Sequence, residues 1–116
     1  MAKSFRELVV WQRAMELTSL LYRLTQHFPR EEFYGLTGQL RRAGVSIPSN
    51  IAEGSGRGTR NDYRSFLRTA RGSALEVQTQ LLIARDLGFG DAAQIEQAEK
   101  MVEQTSKMLW AIVQKL

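Results

Sequence analysis

Apolar residues recur along this chain at intervals of three and four, the spacing of one face of an α-helix. Val10, Ala14, Leu17, Leu21, Leu24 and Phe28 form the first such stripe. Ahead of it, Ser4-Phe5-Arg6-Glu7 has the Ser-x-x-Glu spacing of a capping box, which predicts a helix from Ser4 to about His27, before Pro29. Leu36, Leu40, Ala43, Ile47 and Ile51 predict a second helix that begins near Glu31. Tyr63, Leu67, Ala70, Ala74, Val77, Leu81 and Ala84 predict a third, opened by Thr59-x-x-Asp62 and closed by Gly88. Asp91-x-x-Gln94 opens a fourth, with Ile95, Ala98, Val102, Thr105, Leu109, Ile112 and Leu116 on one side. No segment alternates in the manner of a strand.

Four helices of roughly 20 to 26 residues would each be about 30–39 Å long. The links between them are short, about "FPRE", "GRG" and "GFG". Short links bring sequential helices back alongside one another, so the expected fold is all-α, an antiparallel up-down-up-down four-helix bundle forming a single domain over 1–116. Pro48 tests the second helix, because it cannot donate to the carbonyl of Gly44 and crowds that carbonyl. The apolar spacing runs through it from Ile47 to Ile51, so we expect a continuous helix kinked at Pro48. Asn50, Glu53 and Arg57 would then share a face, with Glu53 and Arg57 spaced for an ion pair.

There is more apolar surface than one bundle needs. Leu8, Trp11, Met15 and Tyr22 form a second stripe on the first helix, more than a quarter-turn from its core stripe. Leu75 and Leu82 lie off the core stripe of the third helix, and Trp110 off that of the fourth. Single surface hydrophobes are common, but a heptad containing Trp and Tyr suggests a subunit seam, hence a homo-oligomer.

Composition narrows the chemistry. The 116 residues contain no cysteine and one histidine, His27, which leaves out thiol catalysis, disulfides and thiolate metal sites. The longest apolar runs are four residues, far short of a membrane span, and no secretory signal opens the chain, so the expected location is cytoplasmic. The formal charge is +4, and arginine supplies twelve of the sixteen basic residues. Seven arginines between Arg41 and Arg71 face only Glu53 and Asp62, whereas five acids between Asp86 and Glu103 face only Lys100. That asymmetry implies a polyanionic partner, or self-association between opposite charges.

The glycine-rich "GSGRGTR" follows a helix and lacks the Gly-Lys-Ser/Thr ending of a phosphate loop, so it reads as the join between helices two and three. The arginines are what a join does not require. Arg60, Arg64, Arg68 and Arg71 occupy one arc of the third helix, roughly 110° from its core stripe. Arg57 precedes them, and Arg41 and Arg42 come from the second helix. Such a row can track a phosphate backbone without reading bases; it can equally be a solvated face, or pair with the acids of helix four. Glu31-Glu32 reads as a helix start and His27 as a helix-end dipole contact; no catalytic triad or inward Glu-x-x-His pair appears. The expectation is a non-enzyme with no metal or cofactor.

The strings "YGLTGQLRRA", "SIPSNIAEG" and "FLRTARGSALEVQTQL", with "LVVWQRAMEL" ahead of them, span nearly the whole chain. Through them the sequence closely resembles the four-helix-bundle proteins encoded in intervening sequences of bacterial 23S rRNA genes. The resemblance implies a ring-forming bundle, with a pentamer the expected form. It also implies similarity in fold to the accessory variability determinant of diversity-generating retroelements, a basic pentamer that binds nucleic acid and a reverse transcriptase. It transfers no catalytic residue; the matching motif positions are Pro48, Asn50, Glu53 and Gly54. The functional expectation is an oligomer that binds RNA or DNA through its arginines. The alternative is an adaptor that docks a protein, such as a nucleic-acid-processing enzyme.

Overall fold

A computed structural model describes residues 4–116. Four α-helices account for most of them: α1 (Val9–Thr25), α2 (Leu36–Ser55), α3 (Arg60–Leu87) and α4 (Ala92–Lys115). There is no strand among the described residues. None of the helices is long and apolar enough to cross a membrane.

The helices are less equal than the stripes suggested, from 17 residues in α1 to 28 in α3. Two starts explain the difference. Ser4 caps only a short 3₁₀ turn, Phe5–Glu7, its hydroxyl accepting from the Arg6 N–H, and Leu8 is extended before α1 begins. Pro29 leads into a second 3₁₀ turn, Arg30–Glu32, and α2 waits until Leu36. There the Glu32 carboxylate accepts from the Leu36 N–H at 3.0 Å, satisfying one of the donors that a helix start leaves unpaired. The other signals hold. Thr59 accepts from Asp62 N–H at 3.1 Å and Asp91 from Gln94 N–H at 3.0 Å. Gly88 closes α3 in the left-handed conformation (φ 72°), and Phe89 N–H reaches back to the Ala84 carbonyl.

The four core stripes converge on one cluster. Leu17, Leu21, Leu40, Ile47, Leu81 and Leu109 are among its fully buried members. Each helix packs on two neighbours, α1 on α2 and α4, and α3 on α2 and α4; the diagonal pairs have no Cα atoms within 8 Å.

α2 makes close approaches to both α1 and α3. It runs continuously through Pro48, which is buried. Pro48 has no N–H for the Gly44 carbonyl, and the Thr18 hydroxyl of α1 stands 3.0 Å from that carbonyl, its single proton shared between it and α1. The same hydroxyl lies 2.8 Å from the Ala14 carbonyl within α1. Gly44 lets α1 come close, since a Cβ there would stand 2.7 Å from Leu21 Cδ1 and the leucine would have to shift. Towards α3, Gly54 allows that helix to close in, as a Cβ there would stand 2.6 Å from Phe66 Cβ. Between these points Asn50 donates to the Ser46 carbonyl and hydroxyl, and Ser46 Oγ lies 2.8 Å from Ser73 Oγ on α3. Pro48, Asn50 and Gly54 therefore serve packing.

Replacing Thr18 with the near-isosteric valine keeps the shape but leaves the Gly44 carbonyl without its donor. Thr18→Val is expected to lower unfolding free energy by about 1–2 kcal/mol, read as a lower urea midpoint at unchanged m-value.

Candidate nucleic-acid interface

The arginines of the sequence stripe are held on two different sides of the molecule. Arg68 and Arg71 border a depression between α3 and α4, together with Leu75 and Trp110. Arg71 lies with its guanidinium carbon 4.8 Å from the Trp110 ring centre, a cation–π distance, and its Nε is buried without a hydrogen-bond partner. Arg64 donates to the Asn61 side chain at 3.0 Å. Arg60 and Arg68 are exposed. Arg57 lies beyond the end of α2 with its guanidinium carbon 5.0 Å from the Phe66 ring centre. The expected Glu53–Arg57 ion pair is absent, because α2 ends at Ser55 and the chain has already turned by Arg57.

Arg41 belongs elsewhere. Its Nε donates to Thr25 Oγ1 at 2.9 Å, and its guanidinium carbon stands 4.6 Å from the Tyr22 ring centre, so it lies in the α1–α2 groove. That groove is opposite the α3–α4 depression. The structure thus groups Arg60, Arg64, Arg68 and Arg71 along α3, with Arg57 at their start, and separates Arg41 from them. Arg42 is exposed on α2 and borders both the α1–α2 groove and the α2–α3 groove.

None of these seven arginines makes an ion pair among the described residues. The acids of α4 are matched otherwise: Glu96 with Lys100, Glu103 with Lys107, and Glu99 with Arg85. Like charges spaced i,i+4, as at Arg60, Arg64 and Arg68, repel by a few tenths of a kcal/mol per pair. The row therefore carries positive charge with no ion-pair partner among the described residues.

The residues expected at a seam are also divided. Leu8 and Trp11 are half-buried against the core, and Trp11 packs edge-on against Phe5 at 5.2 Å. Met15 and Tyr22 are more open, Tyr22 beneath Arg41. Leu75, Leu82 (57% exposed) and Trp110 (51% exposed) are the more available apolar groups on α3 and α4. Among the described residues, no three His, Asp or Glu side chains gather closely enough to hold a metal ion. Two positions that periodicity did not single out stand out here: Phe33 and Tyr34, exposed at the entry to α2.

The fold and this face define a small four-helix bundle with an unpaired basic row. The sequence pattern of the family described as 23S rRNA-intervening sequence protein matches residues 6–111, and the chain belongs to that family. Its fold is similar to the crystal structure of a protein of unknown function from the S23 ribosomal protein family of Bacteroides thetaiotaomicron. The TM-score is 0.83 at 24% identity, covering 90% of this chain and 98% of that one. No curated protein sequence matches the chain.

Tyr63 lies between Arg60 and Arg64 on α3, half-buried, with its Cδ1 3.3 Å from where a Gly54 Cβ would stand. Burial raises the pKa of its hydroxyl, because it penalises the phenolate. A raised folded-state pKa contributes stability below the unfolded value, near 10.0, and that contribution is lost as pH rises through the folded value. Stability measured by urea unfolding should therefore fall above pH 10, and Tyr63→Phe should make that fall shallower.

Proposed function

We propose that this chain is a non-catalytic, cytoplasmic binding protein. It assembles as a homo-oligomeric ring and holds RNA or DNA by its phosphates through Arg57, Arg60, Arg64, Arg68 and Arg71. One observation carries the reading: these arginines have no carboxylate partners among the described residues, while the acids of α4 are paired with other cations.

Within each subunit the helices run antiparallel, up-down-up-down, with α2 bending at Pro48. Paired contacts support the direction: Gly54 meets Phe66 and Ser46 meets Ser73, so residue numbers rise on α3 as they fall on α2. The seam runs through Leu82 on α3 and Met15 on α1, because Leu75 and Trp110 line the depression beside Arg68 and Arg71 and Tyr22 lies against Arg41. Five copies is the number the family resemblance implies. A ring repeats each weak basic row around an axis, and effective concentration converts several modest contacts into useful affinity. Arg42 assists from the neighbouring α2 surface.

The Arg64→Glu, Arg68→Glu variant should bind labelled single-stranded and duplex nucleic acids more weakly in fluorescence anisotropy. Its salt slope should be shallower by about 0.7–0.9 for each phosphate that is no longer neutralised. Unchanged affinity and slope would remove the α3 row as the binding surface and leave a protein-docking adaptor as the reading to pursue.

Native mass spectrometry should give a multiple of 13.2 kDa. Leu82→Glu should shift it to monomer with the helical circular dichroism retained, since Leu82 lies outside the subunit core. An unchanged mass removes Leu82 from the seam.

A further inference from the structure

The turn that leads into α2 carries the most exposed aromatic side chain of the described residues. Tyr34 is 90% exposed and Phe33 beside it 55%. Their rings meet edge to face, with centres 4.9 Å apart and planes at 89°, and at 90% exposure the Tyr34 ring still presents a face to solvent. Singly exposed hydrophobes are ordinary, but these two border one depression of about 290 Å³ with Tyr22, Arg41 and Arg42.

The charges around it are not equivalent. Arg41 is occupied by Thr25 and the Tyr22 ring, so it shapes the wall. Arg42 has no ion-pair partner among the described residues, and its Nη1 is 3.2 Å from where a Cβ on Gly38 would stand, so its guanidinium folds back towards the turn. A Cβ on Gly38 would also stand 2.9 Å from the Phe33 carbonyl oxygen. The absence of a side chain there keeps Arg42 close to the aromatic pair. The acids of the turn form no ion pair with it. Glu32 accepts from Leu36 N–H, and neither Glu31 nor Glu32 borders the depression.

We propose that this corner binds one unpaired nucleotide, with the base stacked on Tyr34 and its phosphate against Arg42. An open aromatic face beside an unpaired guanidinium suits a single strand, because a base can stack only when its own face is free. A duplex offers phosphates to Arg42 but no free base face to Tyr34. The inference rests on the nucleic-acid reading and refines it: the α3 row tracks phosphates of any strand, and the α1–α2 corner prefers unpaired ones.

The test uses fluorescence anisotropy of the full chain with a labelled single-stranded RNA, the same sequence as single-stranded DNA, and the matching RNA duplex. Tyr34→Ala is compared with Tyr34→Phe and with Arg64→Glu, Arg68→Glu. Being exposed, Tyr34 can be truncated without opening the core, which circular dichroism and native mass would verify. Tyr34→Ala should weaken single-strand binding about tenfold or more and leave the duplex within about twofold, while Tyr34→Phe keeps the wild-type affinity. The better single strand of the two identifies RNA or DNA as the source of the nucleotide. Equal loss on single strands and duplex, or no loss on either, overturns the corner as a base site. A dependence on Arg64 and Arg68 that persists in those cases keeps the broader reading standing. Binding of none of the probes by the wild type overturns both. A changed native mass in Tyr34→Ala makes the corner an interface between copies and overturns the inference as well.

Discussion

α2 meets each neighbour at one point where its own side chain is missing, and the packing on either side depends on that constraint. At Gly44 the space a Cβ would need is filled by Leu21 of α1, and at Gly54 by Phe66 of α3. Residue 44 and residue 54 are ten apart, about 15 Å along the helix, so the two close approaches lie near its middle and its end. Pro48 lies between them and removes one helical donor. The hydroxyl of Thr18 reaches Gly44 because the glycine lets α1 come near enough. Close packing and donor replacement are therefore one arrangement: widening the α1–α2 gap would expose the same carbonyl that Pro48 cannot satisfy. On the α3 side the Asn50–Ser46–Ser73 set does comparable work, fixing two helices by polar contacts where apolar residues alone would allow sliding.

The fold was largely legible in the chain because periodicity reports directly on which face is buried. Every residue of the α1 stripe is buried, and in the other stripes only Leu36, Tyr63, Ile112 and Leu116 are partly open, mostly near helix ends. Caps at Thr59, Gly88 and Asp91 were readable for the same local reason. The starts of α1 and α2 were not. Ser-x-x-Glu at Ser4 describes a turn equally well when the following residue is extended, as Leu8 is. Glu32 caps α2 from a 3₁₀ turn, four residues ahead of the N–H it accepts from, a spacing the Ser-x-x-Glu pattern does not describe.

The candidate site was legible only in part. A helical net places Arg60, Arg64, Arg68 and Arg71 in one arc, and the structure keeps them along one helix. It cannot say whether arginines from another helix join them, because that depends on which groove each side chain enters. Arg41 enters the α1–α2 groove, drawn by Thr25 and Tyr22, and stands apart from the row. Glu53 and Arg57 failed for a different reason, since i,i+4 pairing requires the helix to continue and α2 stops between them. Phe33 and Tyr34 were invisible to periodicity because they lie in a turn, where no helical or strand period applies.

The distribution of charge then separates two explanations for the arginines. If they existed to neutralise the acids of α4, those acids would need them, yet Glu96, Glu99 and Glu103 already have Lys100, Arg85 and Lys107. Such surface pairs contribute little stability each, so their meaning lies in where they leave the remaining charge. What remains is a positive row on α3 whose members repel one another mildly, with Arg71 tucked against Trp110 at one end and Arg57 against Phe66 at the other. Aromatic faces steady these two guanidinium groups without cancelling their charge. The ends of the row are steadied in this way and Arg64 is tied to Asn61, while Arg60 and Arg68 between them stand in solvent. On the function proposed above, the compensating anion comes from another molecule.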